Sequence, residues 1–237
     1  MLAGYASRGL KAGVVAGAAF GLFVALVGAP LVELSEAVVA GHDHVHGEHA
    51  PLLGTATSVV AGVLWGLLAG GCFGVVYYFA EPALPGGTDA GSYLLGVAGF
   101  VTVAGAPWLV LPPRPAGLEA PFATDVRLFW FAAMMVAGAT ACVLALVAYR
   151  RVRSRGRRIA LVAAAVPFAL PVVLAAVAPN ATVAAGAADP ALVAAYRGVV
   201  ALGQVALWGT LATTHAHLRR RATAVDRDGF AATAGAD

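Results

Sequence analysis

Six long apolar stretches restrict this chain to one class of fold. They cover residues 12–32, 54–80, 91–111, 128–149, 159–178 and 191–214. A helix needs about 20 apolar residues to cross a bilayer, and each stretch reaches that length. Only 11% of the 237 residues are charged, which leaves too little polar surface for a soluble globular domain. The sequence predicts an all-α polytopic membrane helix bundle with six spans. A five-span arrangement is the alternative, because Pro167 and Pro171 interrupt the fifth stretch.

The distribution of positive charges predicts the orientation of the bundle. Short connections rich in Arg and Lys stay in the cytoplasm. With six spans, one side carries Arg8, Lys11, Arg150, Arg151, Arg153, Arg155, Arg157, Arg158, Arg219, Arg220, Arg221 and Arg227, whereas the other carries Arg114, Arg127 and Arg197. The sequence therefore predicts both termini inside, a single transmembrane domain over residues 1–221 and a flexible cytoplasmic tail over 222–237.

Glycine recurs at every fourth position in each of the first two spans. The two series are Gly9, Gly13, Gly17 and Gly21, and Gly62, Gly66, Gly70 and Gly74. Inside a bilayer, small residues at this spacing let two helix backbones approach closely. The pattern predicts that these helices pack on each other or on a neighbour. A smooth interface that allows sliding in a transporter is the functional alternative.

The outer loop at 33–53 contains no Lys or Arg but holds four of the six histidines of the chain. Its candidate metal ligands are His42, Asp43, His44, His46, Glu48 and His49. Imidazole and carboxylate groups together suit borderline divalent ions such as Co²⁺, Ni²⁺ and Zn²⁺. The segment predicts metal capture outside the membrane. The alternatives are a pH-sensitive loop and a solvated loop without a role.

Two further pairs of residues lie at the ends of spans. Glu33 and Glu36 are three residues apart, so on a continuing helix they share a face and could pass an ion from the loop to the bundle. Interfacial charge is the alternative role for this pair. His215 and His217 precede Arg219, and we interpret these histidines as anchors at the lipid headgroups, with an ion exit as the alternative.

Several segments, in order along most of the chain, resemble the CbtA family of predicted cobalt transporter subunits. They are the entry Arg8–Gly13 into the first span, Pro30 with Glu33 and Glu36, the loop His42–His49, the proline-rich stretch Trp108–Leu118 and Arg127. The resemblance implies cobalt uptake linked to cobalamin synthesis. It also implies a small single-span partner subunit, CbtB, with its own histidine-rich segment. Family members are usually described with five spans, whereas this sequence predicts six.

The sequence thus predicts a multi-pass protein of the cell membrane, a subunit of a transporter that takes up a divalent transition metal. Co²⁺ is the preferred ion and Ni²⁺ or Zn²⁺ the alternatives, with no further cofactor and no nucleic-acid partner. No GxxxxGK[ST], HExxH or GxSxG motif occurs, so an enzyme is not expected. A metal-binding scaffold or sensor that transports nothing is the alternative function.

Overall fold

The computed structural model describes residues 1–33, 51–85, 89–115, 122–179 and 189–234, and these residues form helices without any strand. The α-helices are Leu2–Phe23, Pro51–Ala80, Ala90–Phe100, Thr124–Val152, Arg157–Ala165, Ala169–Val177 and Pro190–Ala234. The prediction of an all-α fold is confirmed. The last helix continues into the stretch for which the sequence predicts a tail.

Within the described residues, six helical segments are long and apolar enough to cross a membrane. We number them span 1 (Leu2–Glu33), span 2 (Gly54–Ala80), span 3 (Ala90–Leu109), span 4 (Thr124–Arg155), span 5 (Arg157–Val177) and span 6 (Pro190–Thr223). The prediction of six spans is confirmed by length and composition.

Spans 1 and 3 each contain a short π-helical turn just before a proline. The turn Val24–Gly28 precedes Pro30, and the turn Val101–Gly105 precedes Pro107. Because proline lacks an N–H group, it cannot continue the regular hydrogen-bond ladder. The N–H of Ala106 instead donates to the carbonyl five residues earlier, at 2.8 Å. In both spans the helix therefore continues to its proline through one widened, π-helical turn.

The chain divides into two compact units, and the first contains the glycine series. This unit comprises Met1–Gly21, Val59–Val97 and Ala206–Asp237. A Cβ atom added to Gly66 would lie 2.6 Å from the Cα atom of Gly17, and one added to Gly70 would lie 2.7 Å from that of Gly13. Such contacts require two backbones that touch without side chains between them. The prediction that the first two spans pack on each other is confirmed, and the pairing is antiparallel.

The second unit comprises Leu22–Ser58 and Ala98–Val205. Span 4 packs here against span 5 and against the π-helical turn of span 3. Met134 is fully buried beside Ala106 and Val110, and Leu174 of span 5 packs against this cluster. A Cβ added to Gly138 would lie 2.9 Å from the Cβ of Ala106, so a small residue again sets the helix separation.

Candidate functional site

A cluster of polar side chains, most of them buried, lies at one end of the first unit. We call it the Arg219 cluster, and its members are Tyr5 of span 1, Tyr77 of span 2, Glu81 just after it, Ser92 of span 3, and His215 and Arg219 of span 6. Spans 1 and 3 contribute residues near their beginnings, whereas spans 2 and 6 contribute residues near their ends. Ionisable residues within membrane spans are costly, so such a group is by default a functional-site candidate.

Arg219 lies at the centre of the cluster, and the residue is 9% exposed. It forms an ion pair with Glu81 and donates a hydrogen bond to the hydroxyl of Tyr77. The central carbon of its guanidinium also lies 4.6 Å from the centroid of the Tyr77 ring. The hydroxyl of Tyr5 donates to the same carboxylate. A buried cation needs an anion, oxygen acceptors or an aromatic face in place of water, and this position supplies all three.

His215 is 0% exposed and packs beside this cation site. Its Nδ1 atom is hydrogen-bonded to the hydroxyl of Ser92 at 3.0 Å. The ring lies between Phe73 and Tyr77, with centroid distances of 5.0 Å and 4.7 Å. Among the described residues, no group is hydrogen-bonded to the buried Nε2 atom. The interpretation of His215 as a headgroup anchor is wrong, because its ring packs between helices, whereas His217 is exposed.

Helical spacing and one glycine bring the cluster together. Tyr77 and Glu81 are four residues apart, as are His215 and Arg219. The N–H of Glu81 still donates to the carbonyl of Tyr77 at 2.8 Å, so each pair lies on one face of a helical turn. A Cβ added to Gly91 would lie 2.7 Å from the Tyr77 hydroxyl oxygen, so the glycine leaves room for the phenol. The sequence analysis did not predict this cluster. The signal that could have indicated it is the spacing of four residues within each polar pair at the ends of spans 2 and 6.

A second ion pair lies beside the cluster but is exposed. Arg220 contacts Asp89 at 3.0 Å, with side-chain exposures of 53% and 39%. It connects the beginning of span 3 to span 6, as the buried cluster does. Exposed pairs of this kind contribute only about 0–1 kcal/mol, because water and salt screen them. The pair therefore provides a comparison for the buried pair of Arg219.

The described residues include one of the predicted metal ligands. Glu33 is the last residue of span 1 and is exposed. The predicted ligands Glu36, His42, Asp43, His44, His46, Glu48 and His49 lie outside the described residues. Within the described ranges, no three His, Cys, Asp or Glu side chains are grouped so that they could hold a metal. The capture site in the loop stays a prediction.

Ser92→Ala is expected to destabilise the protein by about 1–3 kcal/mol. The change leaves Nδ1 of His215 buried without its hydrogen bond, and an unsatisfied buried polar atom costs that much. Thermal unfolding of the purified protein in detergent measures the effect. Thr213→Ala is the control, because that exposed hydroxyl bonds only to the carbonyl of Gly209 in its own helix. Equal melting temperatures for both variants would contradict the expectation.

A comparison with protein families identifies the chain. The family model described as "Probable cobalt transporter subunit (CbtA)" matches residues 3–220. The chain belongs to this family. The match begins in span 1 and ends in span 6, so it includes every residue of the Arg219 cluster. No curated protein and no solved structure matches the chain. Family membership and the six apolar spans together establish a multi-pass membrane protein.

Proposed function

We propose that the chain is the membrane subunit of an uptake transporter for a divalent transition metal, with Co²⁺ as the preferred ion. Membership of the cobalt transporter subunit family over residues 3–220 is the observation that carries this proposal. Six spans long enough to cross a bilayer support it. Ni²⁺ and Zn²⁺ are the alternative ions, because nitrogen and oxygen ligands accept all three.

The histidine-rich loop captures the ion in this proposal. His42, His44, His46 and His49 bind through neutral imidazole nitrogen atoms, and Asp43 and Glu48 assist. Several weak sites close together raise the ion concentration at the mouth of the transporter. Glu33 and Glu36 then receive the ion at the end of span 1. The exposed position of Glu33 supports this role, because an approaching ion could reach its carboxylate.

In this proposal the histidine-rich loop and the Arg219 cluster lie on opposite sides of the membrane. Spans 1 and 2 each cross once, so their connection lies on the side opposite to the ends that carry Tyr5 and Glu81. Positive charges concentrate at the cluster end, including Arg8 and Arg219. By the positive-inside rule, the cluster faces the cytoplasm and the histidine-rich loop faces outward.

A small single-span subunit of the CbtB type completes the transporter in this proposal, and the ion serves cobalamin synthesis. The composition of the spans supports the need for a partner. Ion pathways usually contain ionisable side chains at depth, whereas the central parts of the described spans contain few. A second chain would supply additional ligands along the path.

Changing His42, His44, His46 and His49 together to Ala is expected to lower Co²⁺ accumulation by at least about tenfold at sub-micromolar ion. Loss of groups that merely support metal ligands already costs about 10–100-fold in affinity or activity. Elemental analysis of cells that express the protein with its partner measures accumulated Co²⁺, Ni²⁺ and Zn²⁺. The control is His217→Ala, an exposed histidine at the end of span 6.

Two results would contradict the proposal in different ways. The first is a metal content in cells with the wild-type protein and its partner that does not exceed the content of cells without the protein. Transport is then wrong, and a metal-binding scaffold or sensor is favoured. If the wild type accumulates Co²⁺ and the fourfold variant accumulates as much, transport holds but capture by the loop is wrong.

A further inference from the structure

A strongly positive turn connects spans 4 and 5. Only Gly156 separates the two spans, and its φ of 126° is a conformation that glycine adopts readily where the chain reverses. Most residues at 150–158 are arginines, and all of these arginines are exposed: Arg150, Arg151, Arg153, Arg155, Arg157 and Arg158. We call residues 150–158 the basic turn.

The second compact unit, to which the basic turn belongs, supplies it with no acidic partner among the described residues. No Asp or Glu occurs in the sequence between Asp125 and Asp189. Among the residues that the structure describes, none of the arginines of the turn forms an ion pair. The described acidic residues of this unit lie at or beside span ends on the other side of the membrane, since each span crosses once: Glu33, Asp125 and Asp189. The second unit therefore does not balance the charge of the turn itself.

The basic turn lies at the depth of the lipid headgroups. The apolar stretch of span 4 ends at Tyr149, directly before Arg150, and that of span 5 begins at Ile159, directly after Arg158. The headgroup layer adds about 5–8 Å on each side of the hydrocarbon core. With a helical rise of about 1.5 Å per residue, residues 150–155 extend over about that distance. The arginines thus lie beside lipid phosphates, and the turn does not project far into water.

The beginning of span 5 also favours an anion. The helix Arg157–Ala165 begins with two cations, although the positive end of a helix dipole disfavours cations. Gly156 precedes this helix and has no side chain to cap its first N–H groups. A phosphate at this end accepts hydrogen bonds from those N–H groups and from the guanidinium groups together.

We propose that the basic turn is a binding site for an anionic phospholipid, with Arg155, Arg157 and Arg158 as the principal ligands of the headgroup phosphate. A guanidinium binds two phosphate oxygens at once, whereas a zwitterionic lipid adds an ammonium group that repels the turn. On the orientation proposed above, this lipid belongs to the inner leaflet. The lipid neutralises the turn and stabilises the ends of spans 4 and 5, which pack on each other.

Removing three charges from the turn is expected to weaken the binding of anionic lipid. The variant combines Arg155→Gln, Arg157→Gln and Arg158→Gln. Its affinity should fall by at least about tenfold, because each arginine near an anionic surface strengthens binding by about fivefold. Native mass spectrometry of the full-length protein in neutral detergent, titrated with phosphatidylglycerol or with phosphatidylcholine, measures the two dissociation constants. The wild type should bind phosphatidylglycerol more tightly than phosphatidylcholine.

Two matched variants separate a lipid site from a general change of charge. The first removes three exposed cations elsewhere and should keep the wild-type affinity for phosphatidylglycerol: Lys11→Gln, Arg127→Gln and Arg221→Gln. The second changes the three arginines of the turn to Lys, which keeps the charge and should retain the preference for phosphatidylglycerol. If the triple Gln variant of the turn does not fold, Arg158→Gln alone serves instead and should lose about fivefold in affinity.

Three results would overturn the proposal. The first is a wild type that binds both lipids equally well. The second is an equal loss of affinity in the variant with three charges removed elsewhere, which means that net charge alone attracts the lipid. The third is displacement of phosphatidylglycerol by an equal concentration of glycerol phosphate, which means that the turn binds a soluble phosphate. The titration contains no metal ion, so its outcome is independent of cobalt transport.

Discussion

Gly66→Leu is expected to prevent the assembly of spans 1 and 2, with a cost of about 3 kcal/mol or more. The first side-chain carbon would lie 2.6 Å from the Cα atom of Gly17, and the carbonyl oxygen of Gly13 is also in contact with that position. Both obstacles are backbone, so no side chain can rotate away, and overpacking reaches or exceeds the usual 1–3 kcal/mol. The fraction of monodisperse protein after detergent extraction, followed by thermal unfolding, measures the loss.

Gly54→Leu is the matched control for this prediction. Gly54 belongs to the same helix, and a Cβ atom added to it has no neighbour within 4 Å among the residues that the structure describes. The two substitutions add the same side chain, so their difference reports the helix contact alone. Recovery of Gly66→Leu at wild-type yield and melting temperature would show that spans 1 and 2 do not depend on backbone contact.

Arg219→Gln and Glu81→Gln are each expected to destabilise the protein by about 3 kcal/mol, whereas the double variant should recover most of that loss. Each single change removes the ion pair and leaves the other charge in place, and breaking a buried pair costs about 3–5 kcal/mol. Glu81 is 31% exposed, which places the expected value at the lower end of this range. Thermal or denaturant unfolding of the four proteins gives the coupling energy of a double-mutant cycle.

The pair Arg220 and Asp89 provides the comparison cycle. Its side chains are 53% and 39% exposed, so its coupling energy should be below about 1 kcal/mol. Similar coupling for both pairs, or simple additivity at Arg219 and Glu81, would mean that burial does not set the strength of the buried pair.

The spans and the glycine interface could be predicted from the sequence because both depend on local patterns. A span needs only length and hydropathy, and a repeat of Gly13 and Gly17 by four residues places small residues on one face of a helix. The family, too, could be recognised from segments in their order. These features require no knowledge of which distant residues meet.

The Arg219 cluster could not be predicted in the same way. Ser92 and His215 are 123 residues apart, and their contact depends on how spans 3 and 6 pack. Tyr77 and Ser92 also lie within the apolar stretches 54–80 and 91–111. Their hydroxyl groups do not interrupt the hydropathy pattern, so the pattern does not mark them as members of a polar site. Polar pairs at helical spacing do lie at the ends of spans 2 and 6, Tyr77 with Glu81 and His215 with Arg219. The sequence alone does not show that these two helix ends are in contact.

The π-helical turn Val24–Gly28 has a consequence for the direction of the residues that follow it. Such a turn is an α-helix with one additional residue, and each residue of an α-helix advances the side chains by about 100° around the axis. Glu33 therefore points about a quarter of a circle away from its direction in an uninterrupted helix of the same sequence. One additional residue thus sets the direction in which the Glu33 carboxylate, just before the histidine-rich loop, points around the helix axis. The length and hydropathy of the span hardly change.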